Sequence, residues 1–256
     1  MKIFFLAIFA FNIQIVFAQQ KISDSVKTTK PTCAYAQPSK VVALIIPAAL
    51  LTYGVIAQNN NNSLHQLDIN TRDKIVIDYK TPITKIDNYT QWMPAVAVYA
   101  LNAAGVKGKN NLIDRTMLYA LSNIIATSVS YTIKNTTKVE RPDGSSNNSF
   151  PSGHTTTAFA AAEFLRQEYK CVSPWYGVAG YVVAATTGAL RVYNNRHWIS
   201  DVVAGAGLGI LSTKLAYWLY PYIKQKLFKN KASSTMVIPF YQNNTAGIAM
   251  VYNFGM

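Results

Sequence analysis

Long uncharged apolar runs alternate with short polar segments along most of the chain. Six of these runs are long enough to form helices, at residues 41–57, 93–106, 116–133, 154–165, 174–193 and 199–220. The last run carries Gly205, Gly207 and Gly209, which permit close contact between helices. Residues 64–91 mix charged and apolar positions, and we interpret them as surface helix and loop. The pattern predicts an all-α fold, a helical bundle of about six helices.

The N-terminal segment has the pattern of a secretory signal. Lys2 gives a positive start, residues 3–11 are apolar, and small residues up to Ala18 resemble a cleavage site. The alternative is a first transmembrane helix, but Asn12 and Gln14 interrupt the run and leave it short for a membrane span. We therefore expect export across a membrane.

Alternation typical of β-strands occurs only near the C terminus. Residues 236–240 and 247–254 alternate around Asn243 and Asn244, a pattern that admits a short β-hairpin. The predicted division of the chain is a signal peptide at 1–18, a polar arm at 19–40, a helical domain at 41–228 and a tail at 229–256.

Composition narrows the class of protein and the chemistry of its partner. Of 256 residues, 50% are hydrophobic and only 14% are charged, against about 25% charged in ordinary soluble domains. This excludes a disordered chain and a disulfide-stapled miniprotein. The net charge of +13 indicates an anionic partner or surface. No helix-turn-helix, zinc or RNA-recognition pattern accompanies it, so we expect a membrane rather than nucleic acid.

Two cysteines, Cys33 and Cys171, occur without a CxxC pattern or a zinc-ligand spacing. A disulfide between them requires that both face an oxidising compartment.

Polar residues that can carry chemistry concentrate in three short segments, each at the end of an apolar helix. These are residues 134–142, 151–154 and 191–201. Two of the three histidines of the chain, His154 and His197, lie in them. Arg196 lies beside His197, and we interpret it as a surface charge.

The three segments together fit the binding of one phosphate. Ser152 can cap the helix that begins near His154, and Gly153 leaves the backbone bare, so N–H groups and the helix dipole point at an anion. Lys134, Arg141 and Arg191 each end or follow a different helix and can converge on that anion.

The two histidines fit two different roles, one as a nucleophile and one as a general acid. Asp201 follows His197 by four residues at the start of a helix, so its carboxylate can hold one ring nitrogen protonated and leave the other free to attack. His154 is then suited to protonating a leaving oxygen. Because no aspartate cluster is present, the cationic side chains must supply the charge stabilisation that Mg²⁺ supplies elsewhere, and we predict no metal site.

The motifs Lys-x6-Arg-Pro, Pro-Ser-Gly-His and Arg-x5-His-x3-Asp occur in this order over residues 134–201. In this the chain resembles the type-2 phosphatidic acid phosphatase and vanadium haloperoxidase superfamily. The family usually has Ser before the third-motif arginine, where this chain has Leu190, and the loop at 143–150 is short.

The resemblance implies a phosphate site at one end of the bundle. It implies phosphoryl binding by Lys134, Arg141, Arg191, Ser152 and Gly153, with His197 as nucleophile, Asp201 orienting it and His154 as general acid. It also implies a phosphohistidine intermediate and no metal or organic cofactor.

The function predicted on this basis is hydrolysis of a lipid phosphate or diphosphate in a bacterial envelope. Candidate substrates are lipid A phosphate, undecaprenyl diphosphate and phosphatidic acid types, among which the motifs do not choose. A soluble periplasmic nonspecific acid phosphatase and a vanadate-dependent haloperoxidase are alternative enzymes. A transporter or structural membrane protein is the non-enzyme alternative. The sequence predicts no oligomeric state.

Charge also predicts which side of the membrane the site faces. Basic residues cluster at the ends of helices opposite the motifs, at Lys107, Lys109, Arg115, Arg166, Lys170 and 224–231, which places the motifs in the periplasm. A cleaved signal also exports residues 19–40, yet three crossings from there leave the motifs inside. Either one early apolar segment does not span, or the whole domain is exported and associates peripherally with a membrane.

Overall fold

The computed structural model describes residues 39–59, 61–75, 84–228, 235–242 and 245–252. The predicted signal peptide, nearly all of the polar arm and Cys33 lie outside these residues. Cys171 is not a free thiol.

The described part of the chain folds into eight helices. They are α1 (Lys40–Ala57), α2 (Ser63–Asp73), α3 (Asp87–Thr90), α4 (Met93–Ala103), α5 (Leu112–Thr137), α6 (Gly153–Tyr169), α7 (Pro174–Tyr193) and α8 (Ile199–Phe228). All six apolar runs become helices, and the charged segment between the first two supplies the short helices α2 and α3. The all-α prediction is confirmed.

Polar side chains fix where several helices begin. The Asn111 side chain accepts a hydrogen bond from the Asp114 N–H at 2.8 Å, which starts α5 four residues before the apolar run. Ser39 and Ser173 cap α1 and α7 in the same way. The helix α8 continues past residue 220, where the sixth apolar run ends, to Phe228.

The helix α6 is the centre of the bundle and packs against α4, α5, α7 and α8, while α1 packs along α8. Its alanines at 158, 160, 161 and 162 are fully buried, and Phe164 stacks on Tyr119 with ring centroids 4.8 Å apart. Glu163 is fully buried too and bonds Arg166 and Lys214. This confirms that α6 lies among helices rather than against lipid on all sides.

The glycines of α8 allow the close approach that the sequence predicts. A Cβ at Gly207 would lie 2.7 Å from the Pro47 carbonyl oxygen of α1, and one at Gly205 would lie 2.8 Å from the Ser152 carbonyl oxygen. A Cβ at Gly209 would collide with the backbone of α6. These positions bring α8 against both α1 and the start of α6.

Two helices among the described residues are long and apolar enough to cross a membrane. They are α1, with a mean hydropathy of 2.0, and the Ile199–Lys226 part of α8, with a mean hydropathy of 1.4. Only 17% of the α1 span is buried, against 56% of the α8 span. The outer face of α1 therefore presents bare apolar side chains such as Val41, Ile45 and Ile46.

Strands β1 (Thr235–Gln242) and β2 (Thr245–Tyr252) follow the bundle. They pair antiparallel, with Thr235 opposite Tyr252 and Gln242 opposite Thr245. This is the hairpin that the C-terminal alternation admits.

Candidate active site

The three polar segments meet at one end of the bundle, where α5 and α7 end and α6 and α8 begin. The short helix α3 packs against α6 and α7 at this end. The site is therefore built from the termini of four long helices and one short one, with the loop between α5 and α6 across it.

A buried histidine–aspartate pair lies at the start of α8. The His197 Nδ1 atom is 3.3 Å from the Asp201 Oδ2 atom, and both side chains are almost fully buried. The same Oδ2 atom accepts hydrogen bonds from the Ser149 hydroxyl at 2.5 Å and the Trp198 N–H at 3.0 Å. Because Nδ1 faces the carboxylate, Nε2 is the ring nitrogen left for a substrate.

The electrostatics of the pair favour a neutral imidazole. Burial lowers the pKa of His197 below its ordinary value, and the positive charges of Arg191 and Lys134 lower it further, whereas Asp201 opposes the shift. A neutral ring with Nδ1 held by a carboxylate is a nucleophile at Nε2.

The loop residue Asn148 positions two of the predicted cations. Its carbonyl oxygen accepts a hydrogen bond from Lys134 Nζ at 2.5 Å, and its side-chain oxygen accepts one from Arg141 Nε at 3.0 Å. Lys134 also donates to the Ser149 carbonyl oxygen at 3.2 Å. Burial lowers the pKa of Lys134 to about 8. The short loop between α5 and α6 thus fixes the positions of the Lys134 and Arg141 side chains.

Arg191 is held from the opposite side by α3. Its Nη1 donates to the Asp87 Oδ2 atom at 2.5 Å, and both side chains are buried. Its Nε is buried without a hydrogen-bond partner, although buried donors are almost always satisfied. An anion that enters the site can accept from this group.

The start of α6 departs from the prediction in one detail. Ser152 occupies the N-cap position, but its side chain makes no capping hydrogen bond. Its hydroxyl lies 2.9 Å from the Thr155 hydroxyl, which takes the place of the expected backbone donor. A Cβ built on Gly153 would meet nothing within 4 Å, so the first turn of α6 faces open space.

His154, the second predicted histidine, lies in that first turn. Its Nε2 is 2.8 Å from the Asn88 Oδ1 atom of α3. Burial lowers the pKa of His154 to about 4, and the nearby charge of Arg191 adds to the effect. The ring is therefore neutral at neutral pH when no anion is bound.

A cavity of about 350 Å³ opens between α3 and the ends of the other helices. Three arginines, Arg141, Arg191 and Arg196, line it together with Asp87 and Asn88. Arg196, which we interpreted as a surface charge, lines this cavity and pairs with Asp143 at 2.8 Å. Among the described residues, no three His, Cys, Asp or Glu side chains are grouped so that they could hold a metal ion.

Sequence reasoning missed Asp87, Asn88, Asn148 and Ser149, all of which bond a predicted site residue. Asn148 and Ser149 lie three and two residues before the second motif, and this closeness along the chain was the signal that could have found them. Asp87 and Asn88 are separated from their partners by 104 and 66 residues, and no motif includes them.

Sequence comparisons identify related proteins. A profile of the PAP2 superfamily matches residues 115–225. A lipid A 1-phosphatase of Porphyromonas gingivalis is 37% identical over 209 residues, which cover 77% of this chain and 43% of that protein. The bacitracin transport permease protein BcrC of Bacillus licheniformis is 33% identical over 95 residues, which cover 36% of this chain and 45% of that protein. The chain thus spans less than half the length of the curated relatives it matches.

A comparison with solved structures gives a further similarity. The transmembrane PAP2 type phosphatidylglycerolphosphate phosphatase from Bacillus subtilis aligns with a TM-score of 0.46 and 20% identity, over 70% of this chain and 98% of that one. The profile match at 115–225 contains all three motifs, and the relative that is 37% identical is a lipid A 1-phosphatase. The chain is therefore similar to the PAP2 superfamily over the residues that carry its motifs.

Proposed function

We propose that this protein is a phosphatase that hydrolyses a phosphate monoester or diphosphate of an envelope lipid through a phosphohistidine. One observation carries the proposal: the buried His197–Asp201 pair leaves the His197 Nε2 atom unengaged by the carboxylate, and the ring lies close enough to Arg191 and Lys134 for their charges to lower its pKa. Arg191 in turn lines the arginine-rich cavity.

Phosphate binding is assigned to the cations at this end of the bundle, of which Arg141 and Arg191 line the cavity. Lys134, Arg141 and Arg191 would contact the phosphoryl oxygens, with Ser152 and the Gly153 N–H completing the set. Arg191 Nε supplies an unsatisfied donor, and the α6 N-terminus supplies a dipole aimed at an anion. These groups take over the charge stabilisation of the transition state that a metal gives in other phosphatases.

In the first step, the His197 Nε2 lone pair forms a bond to phosphorus while the bond from phosphorus to the lipid oxygen breaks. The leaving oxygen takes the electron pair and a proton from His154. Asp201 accepts a hydrogen bond from Nδ1–H and stabilises the positive charge that develops on the ring. The bound phosphate offsets the repulsion from Arg191 and raises the pKa of His154, so substrate binding itself prepares the acid.

In the second step, a water oxygen attacks phosphorus and the now neutral His154 accepts a proton from it. The phosphorus–nitrogen bond breaks, its electron pair returns to Nε2, and inorganic phosphate leaves. His154 ends the cycle protonated, as the first step requires.

Among the candidate lipids, lipid A phosphate is favoured by the 37% identity to the Porphyromonas gingivalis protein. Undecaprenyl diphosphate and phosphatidic acid types come next. The apolar spans in α1 and α8 favour a membrane-associated enzyme over a soluble acid phosphatase. Basic residues at the opposite end of the bundle favour a site that faces the periplasm.

The test is purified protein in detergent with lipid A, undecaprenyl diphosphate, phosphatidic acid and nitrophenyl phosphate, with released phosphate measured. We expect turnover of at least one lipid faster than of nitrophenyl phosphate, unchanged by EDTA and inhibited by vanadate, a mimic of the pentacoordinate state. His197→Ala should be inactive, and His65→Ala in α2 should match the parent. Activity lost to EDTA and restored by Mg²⁺ would contradict the mechanism, and turnover of nitrophenyl phosphate alone would favour the acid-phosphatase alternative.

A further inference from the structure

A second and larger cavity lies at the other end of the bundle. It has a volume of about 1040 Å³ and opens between α1, α6, α7 and α8. Arg166, in the last turn of α6, lines it, and twelve residues of helix separate Arg166 from His154, a length of about 18 Å. Lys40, the first residue of α1, meets Trp218 of α8 there as well. This cavity is therefore separate from the candidate active site.

The lining of this cavity carries an excess of positive charge. Its cations are Lys40, Lys109, Arg166, Lys170 and Lys214, and no described lining residue is acidic. Two carboxylates lie behind the lining. Glu163 binds both Arg166, at 2.6 Å, and Lys214, at 3.2 Å. Glu168, by contrast, accepts a hydrogen bond from Tyr217 and pairs with Arg115, which is not a lining residue. Among the described residues, the five lining cations thus outnumber the carboxylates behind them.

The cations occupy one end of the cavity and apolar side chains occupy the rest. Val42, Ile46 and Leu50 line the wall that α1 contributes, and their spacing of four residues places them in one row along the helix. Phe159 and Ile210 lie across from this row, nearer the middle of the bundle. The cavity thus combines a charged mouth with an apolar interior.

Aromatic rings hold two of the lysines at the mouth. Lys40 Nζ lies 5.8 Å from the centre of the Trp218 ring, and Lys109 Nζ lies 6.0 Å from that of the Tyr217 ring. Lys40 is the first residue of the apolar span α1, so these rings lie level with one end of that span, where tryptophan and tyrosine are typical of the level of lipid head groups.

We propose that this cavity binds an anionic phospholipid as a ligand separate from the substrate. The head-group phosphate would lie among the lysines of the mouth, and an acyl chain would lie along the α1 row of Val42, Ile46 and Leu50. A soluble phosphate compound would leave the apolar wall exposed, and a lipid without net charge would leave the cations uncompensated. The combination of both surfaces selects a ligand with both parts.

The titration of Lys170 agrees with this assignment. Burial lowers the pKa of Lys170 to about 8, and the neighbouring charges of Arg166, Lys109 and Lys214 lower it further. A phosphate in the mouth would relieve this repulsion.

Native mass spectrometry of the detergent-solubilised protein tests the proposal, with dioleoyl phosphatidylglycerol, dioleoyl phosphatidylcholine and glycerol phosphate as probes. We expect one tightly bound phosphatidylglycerol, with much weaker binding of the other two. Lys40→Gln with Lys109→Gln should lower the phosphatidylglycerol affinity by about thirtyfold, since each lysine near an anionic lipid contributes about a factor of five. Lys107→Gln with Lys226→Gln removes the same charge from exposed lysines outside the cavity and should change the affinity little.

A second variant keeps the proposal testable if the double lysine variant does not fold. Ala43→Phe keeps every charge but fills the apolar part, and it should also abolish binding. Turnover of nitrophenyl phosphate reports on the other end of the molecule and should be unchanged in all these variants. Equal binding of phosphatidylcholine, glycerol phosphate binding as tight as that of the lipid, or full affinity in both cavity variants would overturn the proposal. The binding readouts are independent of whether the protein proves to be a phosphatase.

Discussion

The two ends of the bundle both carry concentrated positive charge, yet they are built for different chemistry. At the motif end, three arginines line a cavity of about 350 Å³ beside a buried His197–Asp201 pair. At the other end, five cations line a cavity of about 1040 Å³ with apolar walls, and the histidines of the chain lie elsewhere. Positive charge alone therefore marks a place for an anion. The proposed nucleophile and the polar lining distinguish the candidate reaction site from the proposed binding site.

The ends also differ in how their cations are held. Hydrogen bonds of fixed direction hold Lys134 and Arg141 through Asn148, and a carboxylate holds Arg191. The lysines of the opposite mouth lie over aromatic rings, contacts that fix distance more than direction. Transition-state stabilisation needs donors that are aimed before the substrate arrives, whereas a lipid head group needs only nearby charge.

The largest expected effect separates the two histidines of the motif end. His197→Ala removes the nucleophile, and turnover should fall to background for every phosphate ester. His154→Ala should cost about 10²–10⁴-fold with a lipid alkoxide as leaving group, because that oxygen needs a proton. Nitrophenyl phosphate, whose leaving group needs little protonation, should rescue His154→Ala in part. Initial rates of released phosphate measure both, and rescue of His197→Ala instead would exchange the two assignments.

The second prediction compares the acids that hold arginine at each end. Asp87→Asn removes the charge that pairs with the buried Arg191 and should lower the free energy of unfolding by about 3–5 kcal/mol. Glu163→Gln removes the charge that pairs with the partly exposed Arg166 and should lower it by less, because solvent can still reach that guanidinium. Arg191 faces the phosphate cavity, so inorganic phosphate should restore the melting temperature of Asp87→Asn more than that of the parent. It should leave Glu163→Gln unrestored. Equal restoration of both variants would remove the distinction drawn between the two ends.

The third prediction concerns Asn148 in the loop between α5 and α6. Asn148→Ala removes the acceptor for Arg141 but keeps the carbonyl that accepts from Lys134. We expect KM to rise by about tenfold, the equivalent of one charge-assisted hydrogen bond, with kcat changed less. Asn147→Ala, the exposed neighbour in the same loop, is the matched control. A fall in kcat with an unchanged KM would assign Asn148 to the transition state rather than to binding.

The sequence predicts most of the bundle because its helices are uninterrupted apolar runs, and it predicts the cationic and histidine residues because they form spaced motifs. It does not predict Asp87 and Asn88, because they belong to a four-residue helix in a polar segment and act on partners far along the chain. It misplaces the Ser152 hydroxyl because Thr155 competes for it within the same turn. Local patterns thus indicate which residues carry the charge. The contacts that aim them depend on tertiary packing.

The smallest predicted effect is a shift in the pH dependence of kcat/KM, which reports the groups of the free enzyme. In the proposed assignment Lys134 binds phosphate as an ammonium, and burial lowers its pKa to about 8, so loss of this charge should steepen the decline of kcat/KM above pH 8. His154, with a pKa of about 4 in the free enzyme, adds a decline at lower pH that is the same in the parent and in the lysine variants. The substrate does not cause the decline above pH 8, because a phosphomonoester is already a dianion there, with a second pKa of about 6. Lys134→Arg keeps its charge to far higher pH and should move the decline upward by more than one pH unit.

The neighbouring Lys138 provides the matched control for this shift. It is exposed at the C-cap of α5, so Lys138→Arg makes the same chemical change outside the cation set and should leave the decline near pH 8. At the acid side, burial lowers the pKa of His197, so protonation of the proposed nucleophile should cost no rate down to pH 6.5 in all three proteins. If Lys134→Arg declines at the same pH as the parent, the charge of Lys134 is not what holds phosphate. Phosphate binding at the motif end would then depend on the arginines alone.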